Sequence, residues 1–339
     1  MVSSLYGALE SGLIYAIMAL GVYLSFRILN FPDLTVDGSF VTGGAVASVM
    51  IVGGHHPIMA TIFGAFAGVI AGCLTGLIHT KGKINPLLAG ILMMIALYSI
   101  NLRIMGQPNI PLMGENTLFN QISTWWNEVA LDSFLLAPFN WLGISDYAPR
   151  SFYVIIAMIL IVLLVKKMLD FFLRTEVGMT LRATGDNQAM VKSFSANTDR
   201  YVIVGIGLSN GLVALSGALV AQYNGFADIN IGVGMIVIGL ASVIIGEVIF
   251  GKQTIVRLTL AVILGAIVYR VIYSLALRLN FLDASDMKLI TAIIVICALV
   301  IPNWLDQSQA KRQFKKSQKL NGAVNKEGDV HLATAKKDS

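Results

Sequence analysis

The chain has 339 residues, of which 56% are hydrophobic and 13% are charged, and its mean hydropathy is +0.76. A soluble domain carries about 25% charged residues, so this composition excludes a soluble monomer and predicts a polytopic membrane protein. The net charge of +5 does not indicate a nucleic-acid-binding protein, because the basic residues are sorted by membrane side.

A transmembrane helix needs about 20 mostly apolar residues, and several apolar runs qualify. They are 6–26, 36–53, 57–79, 85–105, 151–172, 201–222, 232–250, 257–278 and 287–304. Residues 1–10 lack a basic segment and no cleavage site follows the first run, so we expect that run to be retained as a span. The run 232–250 is short and glycine-rich, which leaves open a re-entrant segment or a hidden tenth crossing. We predict an all-α membrane bundle of about nine (eight to ten) transmembrane segments.

Lys and Arg favour short cytoplasmic loops, and their distribution predicts the orientation. If 173–200 is cytoplasmic, then 27–35, 80–84, 251–256 and the C-terminal tail are cytoplasmic too. Few basic residues are left for the outer side: Arg103, Arg150, Arg278 and Lys288. This asymmetry predicts an N-out, C-in arrangement with an odd number of crossings.

The loop 106–150 is external in that arrangement. Its tryptophans suit a segment at the headgroup level: Trp125, Trp126 and Trp141. The end of the chain is rich in Lys, Asn and Gln without an apolar period, which predicts a solvated tail, with anionic-lipid contact as the alternative. We therefore divide the chain into a transmembrane domain over 1–305 and a disordered, basic cytoplasmic tail over 306–339.

Glycines recur at every fourth position in the third run, where they predict close helix packing: Gly64, Gly68, Gly72 and Gly76. Gly207 and Gly211 repeat this spacing in the sixth run. The pattern predicts a tight bundle and does not identify a substrate.

Polar residues inside the runs cost several kcal/mol if they face lipid, so each either pairs across helices or lines a path through the bundle. Six are candidate residues of a translocation pathway: Glu10, Asp37, Asn101, Asn210, Gln222 and Glu247. Asp33, Arg103 and Arg270 are further polar residues of this kind. We also hypothesise that Glu247 pairs with Arg270, because both lie in the last third of the bundle.

The longest polar insertion between two runs covers 173–200. In it we expect Gly185 to break the chain and Asp186 to cap a new short helix with its carboxylate. Three apolar side chains then share one face of that helix, at spacings i, i+1 and i+4: Met190, Val191 and Phe194. The pattern predicts a short helix with an apolar knob outside the bilayer. The alternative is an amphipathic loop lying on the lipid surface.

Patterns for catalysis, metal binding or a cofactor are absent from the sequence. Cys73 and Cys297 lie inside apolar runs, and the pair His55-His56 reads as a polar cap in a turn. The stretch 246–254 has Gln253 where a phosphate-binding loop needs Ser or Thr. We therefore expect no catalytic residue, no metal, no cofactor and no nucleic-acid partner, and we do not expect an enzyme.

Three stretches together resemble a known family. The sequence 182–190, followed by 193–197, resembles the cytoplasmic coupling segment of the ABC importer permeases that include the ribose and branched-chain amino acid permeases. That family has Ala-x-Gly-x-Asn-x-x-Ala here, and this chain has Ala183, Gly185 and Asn187, with Met190 in place of the last Ala. The stretches 11–39 and 241–252 resemble the family's first span and its glycine-rich seventh segment.

The run 31–39 resembles a subgroup of tryptophan/tyrosine importers. The resemblance implies a permease subunit of the bacterial cytoplasmic (inner) membrane. It also implies that the subunit forms the pathway for a small polar solute, an aromatic or branched-chain amino acid. It also implies a partner ATPase dimer, a substrate-binding protein outside, and a second, identical permease copy. The residues implied in ATPase coupling are Gly185, Asp186, Asn187, Ala189, Met190, Val191 and Phe194.

Two other classes of protein stay open. An ion-coupled secondary carrier of a small solute would explain the acids Glu10, Asp37 and Glu247 inside the runs. Against it, the halves show no inverted repeat and no pair of proline-interrupted segments. A channel or a scaffold without transport is the third class.

Overall fold

The protein is described by a computed structural model, which covers residues 2–128, 151–251, 254–277, 289, 291–296 and 300. The chain divides into two compact units, Met1–Ala292 and Ile293–Ser339, and every element named below belongs to the first. Most of the predicted run 287–304 lies outside the described residues. Trp141 and the predicted tail 306–339 lie outside them as well.

The unit is built almost entirely from helices. In chain order they are α1 (Val2–Val22), continued by a π-helical turn (Tyr23–Ile28), α2 (Thr35–Val52), α3 (Pro57–Thr80), α4 (Pro86–Met105), α5 (Leu118–Glu128), α6 (Tyr153–Arg174), α7 (Glu176–Asp186), α8 (Gln188–Ser193), α9 (Thr198–Asn224), α10 (Met235–Phe250) and α11 (Ile255–Ala276). Two short strands, β1 (Asn109–Pro111) and β2 (Phe226–Asp228), pair antiparallel with Ile110 opposite Ala227.

Six helices among the described residues are long and apolar enough to cross a membrane. They are Ser4–Ile28, Thr35–Val52, Pro57–Thr80, Pro86–Met105, Thr198–Asn224 and Ile255–Ala276, and they match six of the predicted runs. The run 151–172 is also helical, but α6 includes four charged residues: Lys166, Lys167, Asp170 and Arg174. The run 232–250 forms only the 16 residues of α10, preceded by a turn.

Local sequence signals explain where several helices begin and end. Pro57 and Pro86 occupy first-turn positions, where a missing N–H costs nothing. The residue before each proline caps the helix, since His56 accepts from the Ile58 N–H and Asn85 accepts from the Leu87 N–H. His56 is therefore a cap, as predicted. Gly225 ends α9 in the left-handed conformation, which glycine adopts without a Cβ clash.

The core lies around α1 and α9. Helix α1 is buried on every side from Gly12 to Val22, with Ile14, Ile17 and Met18 all fully inaccessible, and this part of its sequence shows no polar face. Helix α9 packs against α1, α2 and α3. These two helices therefore form the closely packed centre of the bundle.

The predicted glycine packing is confirmed. A Cβ on Gly64 would lie 2.7 Å from the Gly43 carbonyl oxygen, and a Cβ on Gly76 would lie 2.8 Å from Ile203 Cα. Gly68 and Gly72 meet the backbone of α9 in the same way. Helix α3 therefore approaches α2 and α9 at backbone distance along most of its length.

The strands and α5 lie at the end of the bundle where α4 ends and α9 passes into β2. Trp125 on α5 is 57% exposed, as expected for an interfacial residue, whereas Trp126 is only 5% exposed. Successive helix residues point about 100° apart, so the two adjacent side chains have different surroundings. Trp126 packs against the protein, and the interfacial placement of the segment stays a prediction.

The substitution Gly64→Ala tests the packing of α3. The added methyl would meet the Gly43 carbonyl oxygen at 2.7 Å, and overpacking of this kind costs about 1–3 kcal/mol. We expect a lower melting temperature for the detergent-solubilised protein, followed by tryptophan fluorescence. The control is Gly7→Ala on α1, where no atom lies within 4 Å of the new Cβ. Equal melting temperatures for the two variants would contradict the packing described here.

Candidate functional site

The polar insertion folds into two helices at one end of the bundle. Helix α7 ends at Asp186, and Asn187 adopts an extended conformation before α8 begins at Gln188. The Asn187 side-chain oxygen accepts from the Met190 N–H at 3.0 Å. The cap of the short helix is therefore Asn187, and the predicted cap Asp186 is wrong, because the chain turns one residue later.

Gly185 has a different role from the predicted one. It lies within the last turn of α7 and does not break the helix. A Cβ at this position would overlap the carbonyl group of Ile28, at the end of the π-helical turn of α1, and would crowd Leu29. Gly185 is thus a contact point where α7 rests directly on the backbone of α1.

The predicted apolar knob is divided between two sides of α8. Val191 is 4% exposed and packs inward, whereas Met190 is 47% exposed and Phe194 is 76% exposed. Ala189 and Asp186 are also exposed. The segment therefore has one anchoring side chain and two outward apolar side chains, set on an otherwise polar surface.

Loops that were predicted to share one membrane side lie together. A cavity of 330 Å³ is lined by residues of the α3–α4 connection, including Lys83, and by α8 residues, including Lys192. The end of the π-helical turn meets Gly185 at the same end of the bundle. This arrangement agrees with the alternation of loops that the sequence predicts.

The hypothesis that Glu247 pairs with Arg270 is wrong. The Glu247 carboxylate forms an ion pair with Arg27 on the π-helical turn, with Nε and Oε1 2.7 Å apart. The Arg270 guanidinium lies over the Tyr15 ring, 3.6 Å from its centroid. Glu247 lies in the last turn of α10, next to the start of α11, whereas Arg270 lies about 15 residues, or roughly 22 Å, further along α11.

Three other candidate pathway residues are held by partners within the bundle. Glu10 accepts a hydrogen bond from the Tyr223 hydroxyl at 2.8 Å. Gln222 donates to the Thr61 hydroxyl at 2.8 Å and accepts from the Leu118 N–H at 3.0 Å. Asn210 is considered with its own partner below. These side chains join helices.

Asn210 belongs to a buried cluster centred on Asp33. Its Nδ2 donates to the Asp33 carboxylate at 2.6 Å, and that carboxylate also accepts from the Thr35 N–H at 2.9 Å. Asp33 lies between the first two spans and is fully buried. Burial raises the pKa of Asp33 above its ordinary value, although its hydrogen bonds act in the opposite direction. The sequence indicated Asp33 only as a further polar residue and did not assign it to a site.

Another buried pair joins α6 to α11. Lys166 and Asp170 form an ion pair with Nζ and Oδ2 2.5 Å apart, and the Thr259 hydroxyl donates to the other Asp170 oxygen at 2.8 Å. The i, i+4 spacing of Lys166 and Asp170 on one helix is the signal that could have revealed the pair.

The remaining two candidates, Asp37 and Asn101, lie on the wall of one cavity. Its volume is 450 Å³, and it lies between α2, α4 and the 229–233 turn that leads into α10. The Asp37 carboxylate accepts from the N–H groups of Gly234 and Ile236, at 2.9 and 2.8 Å. It therefore caps the start of α10 from another helix, where free N–H groups favour an anion.

A model of the family described as "Branched-chain amino acid transport system / permease component" matches residues 4–300. The chain belongs to this permease family. It is a component of a transport system, with several helices of membrane-crossing length, and its family consists of transport components rather than enzymes.

Individual relatives agree with the family match. The permease is 40% identical over 319 residues to a tyrosine transport system permease protein of Clostridioides difficile strain R20291, covering 94% of this chain and 98% of the relative. It is 24% identical over 309 residues to the ribose import permease of Escherichia coli strain K12, covering 89% and 86% of the two chains. No solved structure matches the chain.

Within the described ranges, no group of three or more His, Cys, Asp or Glu side chains of the permease could hold a metal ion. Cys73 is a free cysteine. The side chains that distinguish this site are Met190 and Phe194 at α8, the ion pair to α10, and Asp37 and Asn101 on the cavity wall.

A charge exchange tests the ion pair between Arg27 and Glu247. We expect Arg27→Glu and Glu247→Lys each to lower stability, and the double variant to recover part of the loss. Because Arg27 is half exposed, the coupling energy should be about 1 kcal/mol. The measurement is thermal unfolding of all three variants in detergent. The matched control combines Glu247→Lys with Arg270→Glu and should show no recovery; recovery there alone would contradict the observed pairing.

Proposed function

We propose that this permease is the membrane-spanning subunit of an ABC importer in the bacterial cytoplasmic membrane, and that it carries a small polar solute inward, namely an amino acid. The observation that carries the proposal is the short helix α8 with its C-cap residue Phe194, which expose Met190 and Phe194 on a polar surface. Large apolar side chains presented in this way are typical of anchors that fill a pocket in a protein partner. The proposed partner is a cytoplasmic ATPase dimer.

The segment is suited to transmit a force because it is fixed to the bundle. Val191 anchors α8, and Leu181 on α7 is fully buried. Gly185 rests on the Ile28 carbonyl of the π-helical turn. One residue earlier, Arg27 holds Glu247 at the end of α10. A displacement of α8 would therefore reach both α1 and α10 through direct contacts.

The proposed orientation is N-out, C-in. It rests on the preference of basic residues for cytoplasmic loops and on the Lys and Arg residues near α8: Lys81, Lys83, Lys192 and Arg200. The opposite end, with β1, β2 and α5, would then face an extracytoplasmic substrate-binding protein. A second copy of this chain would complete the pathway through the lipid bilayer.

The proposed solute is an aromatic or branched-chain amino acid. A relative named as a tyrosine transport permease matches nearly the whole chain at 40% identity, whereas the ribose permease matches at 24%. L-Tyrosine is therefore the first solute to test. Hydrolysis of ATP would take place in the separate ATPase subunit, so no catalytic residue is proposed in this chain.

The alternative of an ion-coupled carrier depends on acids that could exchange a proton or sodium ion during transport. Glu10 is bound by Tyr223, Asp37 by two N–H groups of α10, and Glu247 by Arg27. Each acid therefore already has a structural partner, which favours the importer. Tyrosine uptake that survives ATP depletion but not an uncoupler would reverse this preference.

Substitution of the exposed side chains of α8 tests the coupling role. We expect Met190→Asp and Phe194→Asp each to weaken retention of the co-expressed ATPase at least tenfold, about 1.4 kcal/mol, because a charge replaces an apolar anchor. ATP-driven uptake of L-tyrosine should fall with it, while the melting temperature of the permease stays unchanged.

The matched control is Met179→Asp. Met179 lies on α7 at the same end of the bundle and is 51% exposed, close to the 47% of Met190, but it is outside the proposed docking helix. We expect this variant to retain the ATPase. Undiminished ATPase retention in both α8 variants would overturn the proposal.

A further inference from the structure

The cavity between α2 and α4 has the size and composition of a small-molecule site. Its 450 Å³ falls within the range of about 300–1,000 Å³ that is usual for ligand pockets. The wall is mainly apolar, with Val41 on α2, Met94 and Ile95 on α4, and Ile229 and Val233 on the turn before α10. A few polar groups are set into this wall: Asp37, Tyr98, Ser99 and Asn101.

Asn101 is the residue on the cavity wall with a buried hydrogen-bond acceptor that has no partner. Its residue exposure is 1%, and its Nδ2 donates to the Gly38 carbonyl oxygen at 3.1 Å. Its Oδ1 is buried without a hydrogen-bond partner. A buried acceptor without a partner costs about 1–3 kcal/mol. Other buried polar atoms also lack partners, but the residues Ser39, Ser48, Trp126, Asn210 and Arg270 do not line this cavity.

The polar groups on the wall define the chemistry of the occupant. Asn101 Oδ1 and the Asp37 carboxylate accept hydrogen bonds, and the hydroxyl groups of Tyr98 and Ser99 can do so as well. The N–H groups of Gly234 and Ile236 at the start of α10 already donate to Asp37. The cavity is therefore richer in acceptors than in donors, and it suits a ligand with a donor head group and an apolar body.

We propose that this cavity is the solute-binding site of the permease, and that the solute donates a hydrogen bond to Asn101 Oδ1 while its apolar body packs against Val41, Ile95 and Ile229. An amino acid with an ammonium group and an aromatic or branched side chain has this chemistry. The inference rests on the proposed function for the choice of solute.

The position of the cavity connects it to the rest of the site. The 229–233 turn on its wall leads directly into α10, whose first N–H groups are held by Asp37. The other end of α10 carries Glu247, which is held by Arg27 beside the contact with Gly185. Helix α10 would therefore respond to a displacement of α8, and the turn that leads into α10 forms part of the proposed binding site.

Protection from thiol labelling tests the site without the ATPase. The probe is L-tyrosine, added to the full chain in lipid nanodiscs. Ser99→Cys, in a Cys73→Ser, Cys297→Ser background, places a thiol on the wall. We expect saturating L-tyrosine to slow labelling by N-ethylmaleimide at least fivefold. In the control, Leu92→Cys, the exposed thiol lies on α4 about two turns before Ser99 and outside the residues that line the cavity, and its labelling should not change.

A second variant tests the hydrogen bond. Asn101→Leu, added to the Ser99→Cys background, should raise the L-tyrosine concentration that gives half protection about tenfold, as expected for the loss of one hydrogen bond. Absence of protection at Ser99→Cys, or equal protection at Leu92→Cys, would overturn the inference. An unchanged half-protection concentration in Asn101→Leu would overturn the proposed contact.

Uptake by the assembled transporter separates this inference from the proposed function. Ser99→Trp fills the cavity and should abolish ATP-driven L-tyrosine uptake, whereas Leu92→Trp should leave it unchanged. ATP-driven uptake that is insensitive to Ser99→Trp would overturn the proposed binding site but leave the proposal of an importer intact. Uptake that is blocked by Ser99→Trp but independent of ATP would support the proposed binding site and overturn the proposal of an ABC importer.

Discussion

Polar groups inside a membrane bundle must find partners within the protein, because lipid offers none. In this permease that constraint determines how the helices are tied. The hydroxyl groups of Ser209 and Ser216 on α9 donate to carbonyl oxygens of α1, at 2.7 and 2.8 Å. Gln222 ties α9 to α3, and Asn210 ties it to the turn before α2. Helix α9 is therefore the hub to which the other spans are attached.

These ties depend on the small residues that bring the backbones together. Serine and asparagine side chains are short and reach a neighbouring helix only when the backbones approach closely. Gly64 and Gly76 on α3 lie directly against backbone atoms of α2 and α9. The glycine pattern thus supports the polar network as well as the packing.

Helix α10 has a different position, since it is held by a charged side chain at each end. Asp37 binds the N–H groups at its start, and Arg27 binds Glu247 near its finish. Its 16 residues span about 24 Å. One end adjoins the cavity that contains Asn101, and the other adjoins the turn on which Gly185 rests. A stiff helix between two charged contacts is a simple physical means of relating the two ends of a transporter.

Composition and hydropathy alone determined that this is a helical membrane protein, and the order of its motifs indicated the permease family. Caps such as His56 and the glycine spacing of α3 were also readable, because they depend on neighbours within one or two turns. The cap at Asn187, the inward Val191 and the pairing of Arg27 with Glu247 were not. Asp33 and Asn210 are 177 residues apart in sequence. Only the tertiary structure decides such contacts, because they depend on the rotation and depth of each helix against its neighbours, which local periodicity leaves undetermined.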